Sequence, residues 1–140
     1  MNNHPLLKLE AFGQSIWIDF IRRGMISSGE LKKLIDEDGV TGVTSNPSIF
    51  EKAIGGSSDY DEAIHALAGK GKSVEQVYES LAVEDIQHAA DLFRPVYNRL
   101  DGADGFVSLE VSPRLANNTA LTVAEAHRLW QEVARPNVMI

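Results

Sequence analysis

The sequence contains no cysteine, so disulfides, thiolate nucleophiles and cysteine-ligated metals are excluded at the outset. It contains no long apolar run either. Nothing approaches the roughly 20 residues that span a bilayer, and the N-terminus, with a single early lysine, lacks the core of a signal peptide. Positive charge is in deficit: 13 Lys and Arg stand against 20 Asp and Glu, a net −7, and the basic residues are scattered. That distribution argues against nucleic acid or an anionic membrane as a partner. His65 and His88 have no second ligand at metal spacing, so no metal site is expected. Asn117-Asn118-Thr119 matches a glycosylation acceptor, but the chain reads as cytoplasmic and would not meet the enzyme that uses it. What remains, 44% hydrophobic and 24% charged residues over a length of 140, suits one globular domain with a real core.

The most informative stretch is Gly39-Val40-Thr41-Gly42-Val43-Thr44-Ser45-Asn46-Pro47-Ser48-Ile49-Phe50. Its first half crowds β-branched residues and reads as a strand. Its second half opens a helix, with Asn46 as N-cap and Pro47 at the first helical position. In α/β proteins, active sites gather at such junctions, beyond the carboxyl ends of the strands. Asn46 is therefore open to capping, to facing a ligand, or to both.

Upstream, a short lead-in from Met1 to Phe12 is expected to turn helical from about Leu6, and Ser15-Ile16-Trp17-Ile18-Asp19-Phe20-Ile21 reads as a buried strand. Alternation places Ser15, Trp17 and Asp19 on one face, and a carboxylate at the end of an apolar strand is costly unless paired or used. Ser27-Ser28-Gly29-Glu30 has the form of a capping box, with Ser27 as cap of a helix that buries Leu31, Leu34 and Ile35. Strand, helix and strand in succession make a crossover unit, which implies parallel pairing.

Downstream, a short helix from Pro47 ends at Gly55-Gly56. Three helical stretches follow: Asp59 to Ala68, Ser73 to Leu81 behind a second capping box, and Val83 to Leu100 with Pro95 inside it and a kink expected near Asp91. Phe106-Val107-Ser108-Leu109-Glu110-Val111 alternates cleanly as a third strand, with Glu110 on the polar face at its carboxyl end. Ser112 to Asn118 reads as a polar loop and Thr122-Val123-Ala124-Glu125 as a third capping box. The helix that follows carries Val123, Ala126, Leu129, Trp130 and Val133 on its apolar side. Asn137-Val138-Met139-Ile140 begins a fourth strand, with Asn137 and Met139 expected to face inward.

Strands near 15–21, 40–45, 105–111 and 137–140, alternating with helices and carrying Asp19, Thr44 with Asn46, and Glu110 at their carboxyl ends, fit an α/β fold of the (β/α)8 TIM-barrel type. A full barrel takes about 250 residues, so residues 1–140 amount to its N-terminal half, about three and a half parallel strands with their helices. Chemistry then stays open. Two carboxylates at barrel strand ends fit a glycosidase acid and nucleophile, or proton transfer beside a Schiff-base lysine.

Ile16-Trp17-Ile18-Asp19, then Gly42-Val43-Thr44-Ser45-Asn46-Pro47-Ser48-Ile49-Phe50, then Val107-Ser108-Leu109-Glu110-Val111-Ser112-Pro113 with Arg114-Leu115-Ala116 resemble transaldolase over nearly the whole chain. Thr-Ser-Asn-Pro-Ser is the specific motif. Gln14-Ser15-Ile16-Trp17 and the long helical insert resemble the bacterial branch that includes fusions to glucose-6-phosphate isomerase. The resemblance implies a class I aldol mechanism in the pentose phosphate pathway without metal or organic cofactor. A dihydroxyacetone unit would pass from sedoheptulose 7-phosphate to glyceraldehyde 3-phosphate through a lysine imine. It further implies that Glu110 relays protons through a water, that Asp19 handles the substrate hydroxyl proton during carbon–carbon cleavage, and that Thr44 and Asn46 position the dihydroxyacetone moiety and the water.

One departure carries weight. In transaldolases the Schiff-base lysine follows an Asn-Val-Met-Ile-type run, and this sequence stops at Ile140; Lys8, Lys32, Lys33, Lys52, Lys70 and Lys72 fall on no expected strand. The phosphate-gripping arginine loops of the later strands are absent as well. The expectation is a truncated barrel, inactive by itself, with sugar phosphates as its partners. Its open edges should favour self-association as a non-catalytic half-barrel. A fructose-6-phosphate aldolase specificity in the full-length protein is the alternative within the family.

Overall fold

In the computed structural model, which describes residues 4–140, the order of regular elements is β1 (Trp17–Ile18), α1 (Arg23–Ser27), α2 (Glu30–Asp38), β2 (Gly42–Val43), α3 (Pro47–Gly55), α4 (Asp61–Ala68), α5 (Val74–Arg99), β3 (Val107–Ser108), α6 (Thr119–Val133) and β4 (Val138–Met139). The strands form one sheet in the order β1-β2-β3-β4, and every neighbouring pair is parallel. This is the open, partial barrel that strand and helix alternation predicts. Among the described residues no helix is long and apolar enough to cross a membrane.

Register divides the sheet into two faces. Ile18 pairs with Val43, Val43 with Val107, and Val107 with Val138, a row of β-branched residues that points into the helix layer. Val43 and Val107 are fully buried there under Ile86, Ala89, Ala90 and Phe93 of α5 and Leu129 and Val133 of α6. Burying a side chain of this size is worth roughly 1.5–3 kcal/mol, and the row forms part of one continuous core with Ile21, Leu31, Phe50 and Phe93. The opposite, concave face carries Trp17 against Gly42 and Ser108 against Met139. No helix covers it, and Met139 stays 47% exposed.

At the amino ends of the strands the concave face is sealed. A Cβ on Gly42 would collide with the Trp17 indole, so the glycine makes room for the ring to lie across β2. Trp17 Nε1 donates to Ser15 Oγ at 2.7 Å and to Asp104 Oδ1 at 3.2 Å. Ser15 Oγ donates in turn to Asp104 Oδ2 and lies 3.1 Å from Thr41 Oγ1. The left-handed Gly105 (φ 85°) lets the chain turn into β3 beneath Tyr97, where a Cβ would strike the Tyr97 backbone.

Several local readings give way to tertiary structure. The stretches from Ser73 to Leu81 and from Val83 to Leu100 are one helix, α5, which runs through Pro95. Its buried face from Leu81 to Val96 is continuous, so packing holds together what looked like two pieces. Ser73 and Gln76 do form the expected capping box at its start. Ser27 does not cap α2: it ends α1, a helix not anticipated from sequence, while left-handed Gly29 (φ 83°) begins α2. Asn118, not Thr122, caps α6 through Oδ1 accepting from Leu121 N at 3.0 Å, and Thr122 instead binds the Leu115 and Asn118 carbonyls from inside the helix. Only Leu129 and Val133 of its apolar side are buried; Val123 and Trp130 are half-exposed. The N-terminal lead-in forms two short 3-10 turns, Leu6–Lys8 and Glu10–Phe12, and a third, Pro113–Leu115, interrupts the expected polar loop.

Asn137 is a further difference. Its side chain is fully buried rather than displayed with Met139, and Nδ2 donates to Ala90 O of α5 at 2.8 Å and to Gly105 O at 2.9 Å. It precedes β4, so strand alternation does not yet govern it, and it ties the strand's start to both neighbouring layers.

Candidate active site

The carboxyl ends of the four strands open on the same side of the sheet because all pairs are parallel. At this end β1 and β2 are tied by side chains. Thr44 N donates to Ile18 O at 2.9 Å, and Thr44 Oγ1 donates to Asp19 Oδ1 at 2.5 Å. The Trp17–Gly42 and Ile18–Val43 register, continued by one step, sets Asp19 level with Thr44. Asp19 is otherwise exposed, so one carboxylate oxygen is held and the group still meets solvent.

β2 and β3 are joined by a second pair. Ser45 is buried; its backbone N–H donates to Ser108 Oγ at 3.2 Å and its Oγ donates to Ser108 O at 2.6 Å. Ser108 lies on the concave face, two residues before Glu110. The sequence offered a signal for it, since it shares the polar parity of Glu110. Ser45 gave none beyond its place in the motif.

Asn46 caps α3: its Oδ1 accepts from Ile49 N at 2.9 Å. Its Nδ2 makes no hydrogen bond among the described residues. Capping and ligand-facing roles are therefore compatible, since they use opposite ends of one amide. Asn46, Ser48, Glu110, Ser112, Thr122 and Ile140 line one open cleft of about 730 Å³ at the strand ends. Glu110 also borders a smaller, more apolar cleft of about 380 Å³ on its other side, with Tyr78 of α5 in the wall. Burial, then the charge of Glu110, push the Tyr78 phenol above its ordinary value, and the Phe50 ring holds Tyr78 edge-on at 6.1 Å. Tyr78 escapes sequence reasoning because its spacing on α5 is that of an ordinary core residue.

Glu110 is exposed on the cleft wall rather than enclosed. Asn46 and Glu110 line the cleft while Asp19 and Thr44 lie outside its lining, but the parallel sheet brings all four to one end. Among the described residues no three His, Cys, Asp or Glu side chains cluster to hold a metal ion. The arrangement supplies two solvent-accessible carboxylates, a hydroxyl already engaged with one of them, and an amide donor.

Residues 16–140 match the family model described as transaldolase/fructose-6-phosphate aldolase. The chain belongs to that family. It is 46% identical over its full length to Transaldolase 2 of Nostoc punctiforme and 49% identical to the transaldolase of Trichodesmium erythraeum, covering 37% of each. Against the transaldolase of Saccharopolyspora erythraea it is 50% identical over 99% of its length and 37% of the relative. The chain thus spans little more than a third of the transaldolases it resembles. Within the family, the strand-end residues described above are those on which the resemblance of the sequence also rests.

Proposed function

We propose that residues 1–140 supply the first four strands of a cytoplasmic transaldolase site that moves a dihydroxyacetone unit from sedoheptulose 7-phosphate to glyceraldehyde 3-phosphate in the pentose phosphate pathway. The observation that carries this reading is the Asp19–Thr44 hydrogen bond at the same carboxyl end of the parallel sheet as Asn46 and Glu110, in a chain of this family. A lysine amine adds to the ketose carbonyl and loses water to give an imine, which accepts the electron pair released when the carbon–carbon bond breaks. Asp19 takes the hydroxyl proton whose loss starts that cleavage, and Thr44 Oγ1 orients the carboxylate for it. Glu110 exchanges protons with the imine nitrogen and its precursors through a water. Asn46 Nδ2 donates to a hydroxyl of the three-carbon unit while Oδ1 remains in the helix cap.

The imine-forming lysine is absent from this stretch. Lys8, Lys32, Lys33, Lys52, Lys70 and Lys72 are all exposed and none lies on a strand. Continuing the Val107–Val138 and Ser108–Met139 register by two steps sets the position after Ile140 level with Glu110, where the resemblance expects the amine. Residues 1–140 alone are therefore inactive in this reading. With β1 and β4 as uncovered edges, they self-associate.

The test is borohydride trapping with fructose 6-phosphate followed by intact mass. Residues 1–140 should stay unmodified. The same residues joined to the C-terminal remainder of the Trichodesmium erythraeum transaldolase should gain a reduced three-carbon adduct and transfer the unit to glyceraldehyde 3-phosphate, and Asp19→Asn should abolish the transfer. An adduct on residues 1–140, or full transfer by the Asp19→Asn form, sinks the proposal. Release of free dihydroxyacetone without need of an acceptor would favour fructose-6-phosphate aldolase, which the family description also names.

A further inference from the structure

We propose that Tyr60, Asp59 and Asp85 are positioning residues for Asp19: the α4–α5 segment caps α1 from a distance and so sets the loop that carries this carboxylate. The inference rests on the reading of Asp19 as a site residue. Asp19 to Arg22 form the whole connection between β1 and α1. One end is held by Thr44 Oγ1 on the Asp19 carboxylate, and the middle is anchored by Ile21, which is fully buried in the core. The other end is the start of α1, a helix of five residues whose N-cap residue, Arg22, makes no side-chain cap.

A helix start leaves backbone N–H groups without partners. Here they are satisfied by residues far along the chain. Arg23 N donates to Tyr60 Oη at 2.9 Å, and Gly24 N donates to Asp59 Oδ2 at 2.9 Å. A Cβ at Gly24 would run into the Asp59 carboxylate, so a glycine at this position is what lets the cap approach. Behind this first layer stands Asp85 of α5, fully buried, which accepts from Tyr60 Oη at 2.8 Å and from Arg23 Nε at 2.8 Å. The direction of the Tyr60 hydroxyl is thereby settled: its proton goes to Asp85, and its lone pair is left for the Arg23 amide. The Arg23 guanidinium also lies 5.1 Å from the Tyr60 ring centre and reaches Glu84 at 2.6 Å.

Packing alone would be served better by a hydrophobic residue at position 85, because a buried ion pair rarely outperforms an apolar replacement. Burial pushes the Asp85 carboxyl up, against the hydrogen bonds from Tyr60 and the pull of Arg23. The gain from this arrangement is geometric. It fixes where α1 begins, four residues after Asp19, and through Ile21 it fixes the path between them.

The purified 140-residue chain, labelled with 13C and 15N, tests this by NMR. Tyr60→Phe keeps the buried ring and removes only the hydroxyl. The Arg23 amide should then exchange about tenfold faster, the loss expected for one buried hydrogen bond. The Asp19 carboxyl carbon and Thr44 methyl resonances should move with it, while the Phe93 and Val107 amides keep their protection. Faster exchange at Arg23 with unmoved Asp19 and Thr44 would mean a purely structural network and overturn the proposal, as would unchanged exchange at Arg23. If Tyr60→Phe lowers protection everywhere, Asp59→Asn, which alters a partly exposed partner, decides by the same readouts at Gly24, Asp19 and Thr44. No substrate enters the measurement, so a failure of the transaldolase reading shows separately, in the transfer assay of the completed barrel.

Discussion

The two ends of the sheet are built from similar side chains to opposite effect. At the amino end, Trp17, Ser15, Thr41 and Asp104 satisfy one another, and the Trp17 ring occupies the space left by Gly42. At the carboxyl end, Thr44 engages one oxygen of Asp19, Asn46 uses only its oxygen, and Glu110 stands exposed on a cleft wall. Donors and acceptors that close on themselves contribute to stability. Those left half-satisfied at a barrel's carboxyl end are free to meet a ligand. The polar residues of the concave face thus divide by position along the strand rather than by chemical type.

Substitutions at the two ends should separate the roles, and the amino end should show the larger losses of stability. Gly42→Val forces a side chain into the Trp17 indole and should cost about 3 kcal/mol in urea unfolding, with a change in tryptophan fluorescence. Neutral behaviour there would break the idea of a sealed floor. Asp104→Ala strips the acceptors from Trp17 Nε1, Ser15 Oγ and Gly105 N, with an expected loss of about 2 kcal/mol by the same assay.

At the carboxyl end, Asn46→Ala should cost about 1 kcal/mol, because its stabilising part is a single helix cap. Glu110→Gln should leave unfolding within about 0.5 kcal/mol of wild type. In the completed barrel, both should nevertheless slow transfer far more than either amino-end change does at a temperature where all are folded. A Glu110→Gln form that is strongly destabilised would erase the contrast between the ends.

The smallest expected effect lies away from both ends and tests whether surface charge confuses the comparison. Hydrogen bonds from Arg135 hold the Asp91 carboxyl below its ordinary 3.8. A carboxylate with a lowered folded value contributes stability above its unfolded value and loses it as the pH falls through the folded one. Asp91 is half-exposed, so screening keeps this contribution under about 0.5 kcal/mol. Wild type and Asp91→Asn should differ slightly at pH 6 and converge on acidification well below pH 4, as read from urea midpoints.

Much of this organisation was legible locally. The Val107 to Val111 alternation and the β-branched run before Asn46 announce strands because a pleated backbone alternates its side chains. Asn46-Pro47 announces a helix because its cap is completed three residues away, and Ser73 with Gln76 does the same. Placing Asp19, Thr44, Asn46 and Glu110 at strand carboxyl ends needed nothing further. Local signals misled where a better partner stood nearby. Ser27 looked like a cap but falls at the end of a helix that only distant residues make possible, and Thr122 yielded to Asn118.

Local sequence carried the four strands, most of the helices, the parallel pairing through βα units, and the residues offered at the strand ends, since each depends on periods and caps spanning a few residues; α1 and the unbroken course of α5 lay outside it. Tertiary structure alone decided the partners of the polar groups. Trp17 meets Asp104 across 87 positions, Arg23 meets Asp85 across 62 and the Arg23 amide meets Tyr60 across 37, distances over which neither spacing nor propensity carries information. Those pairings follow from sheet register and from the way α4 and α5 lie against α1. They decide which buried charges are neutralised and which carboxylates remain exposed to solvent.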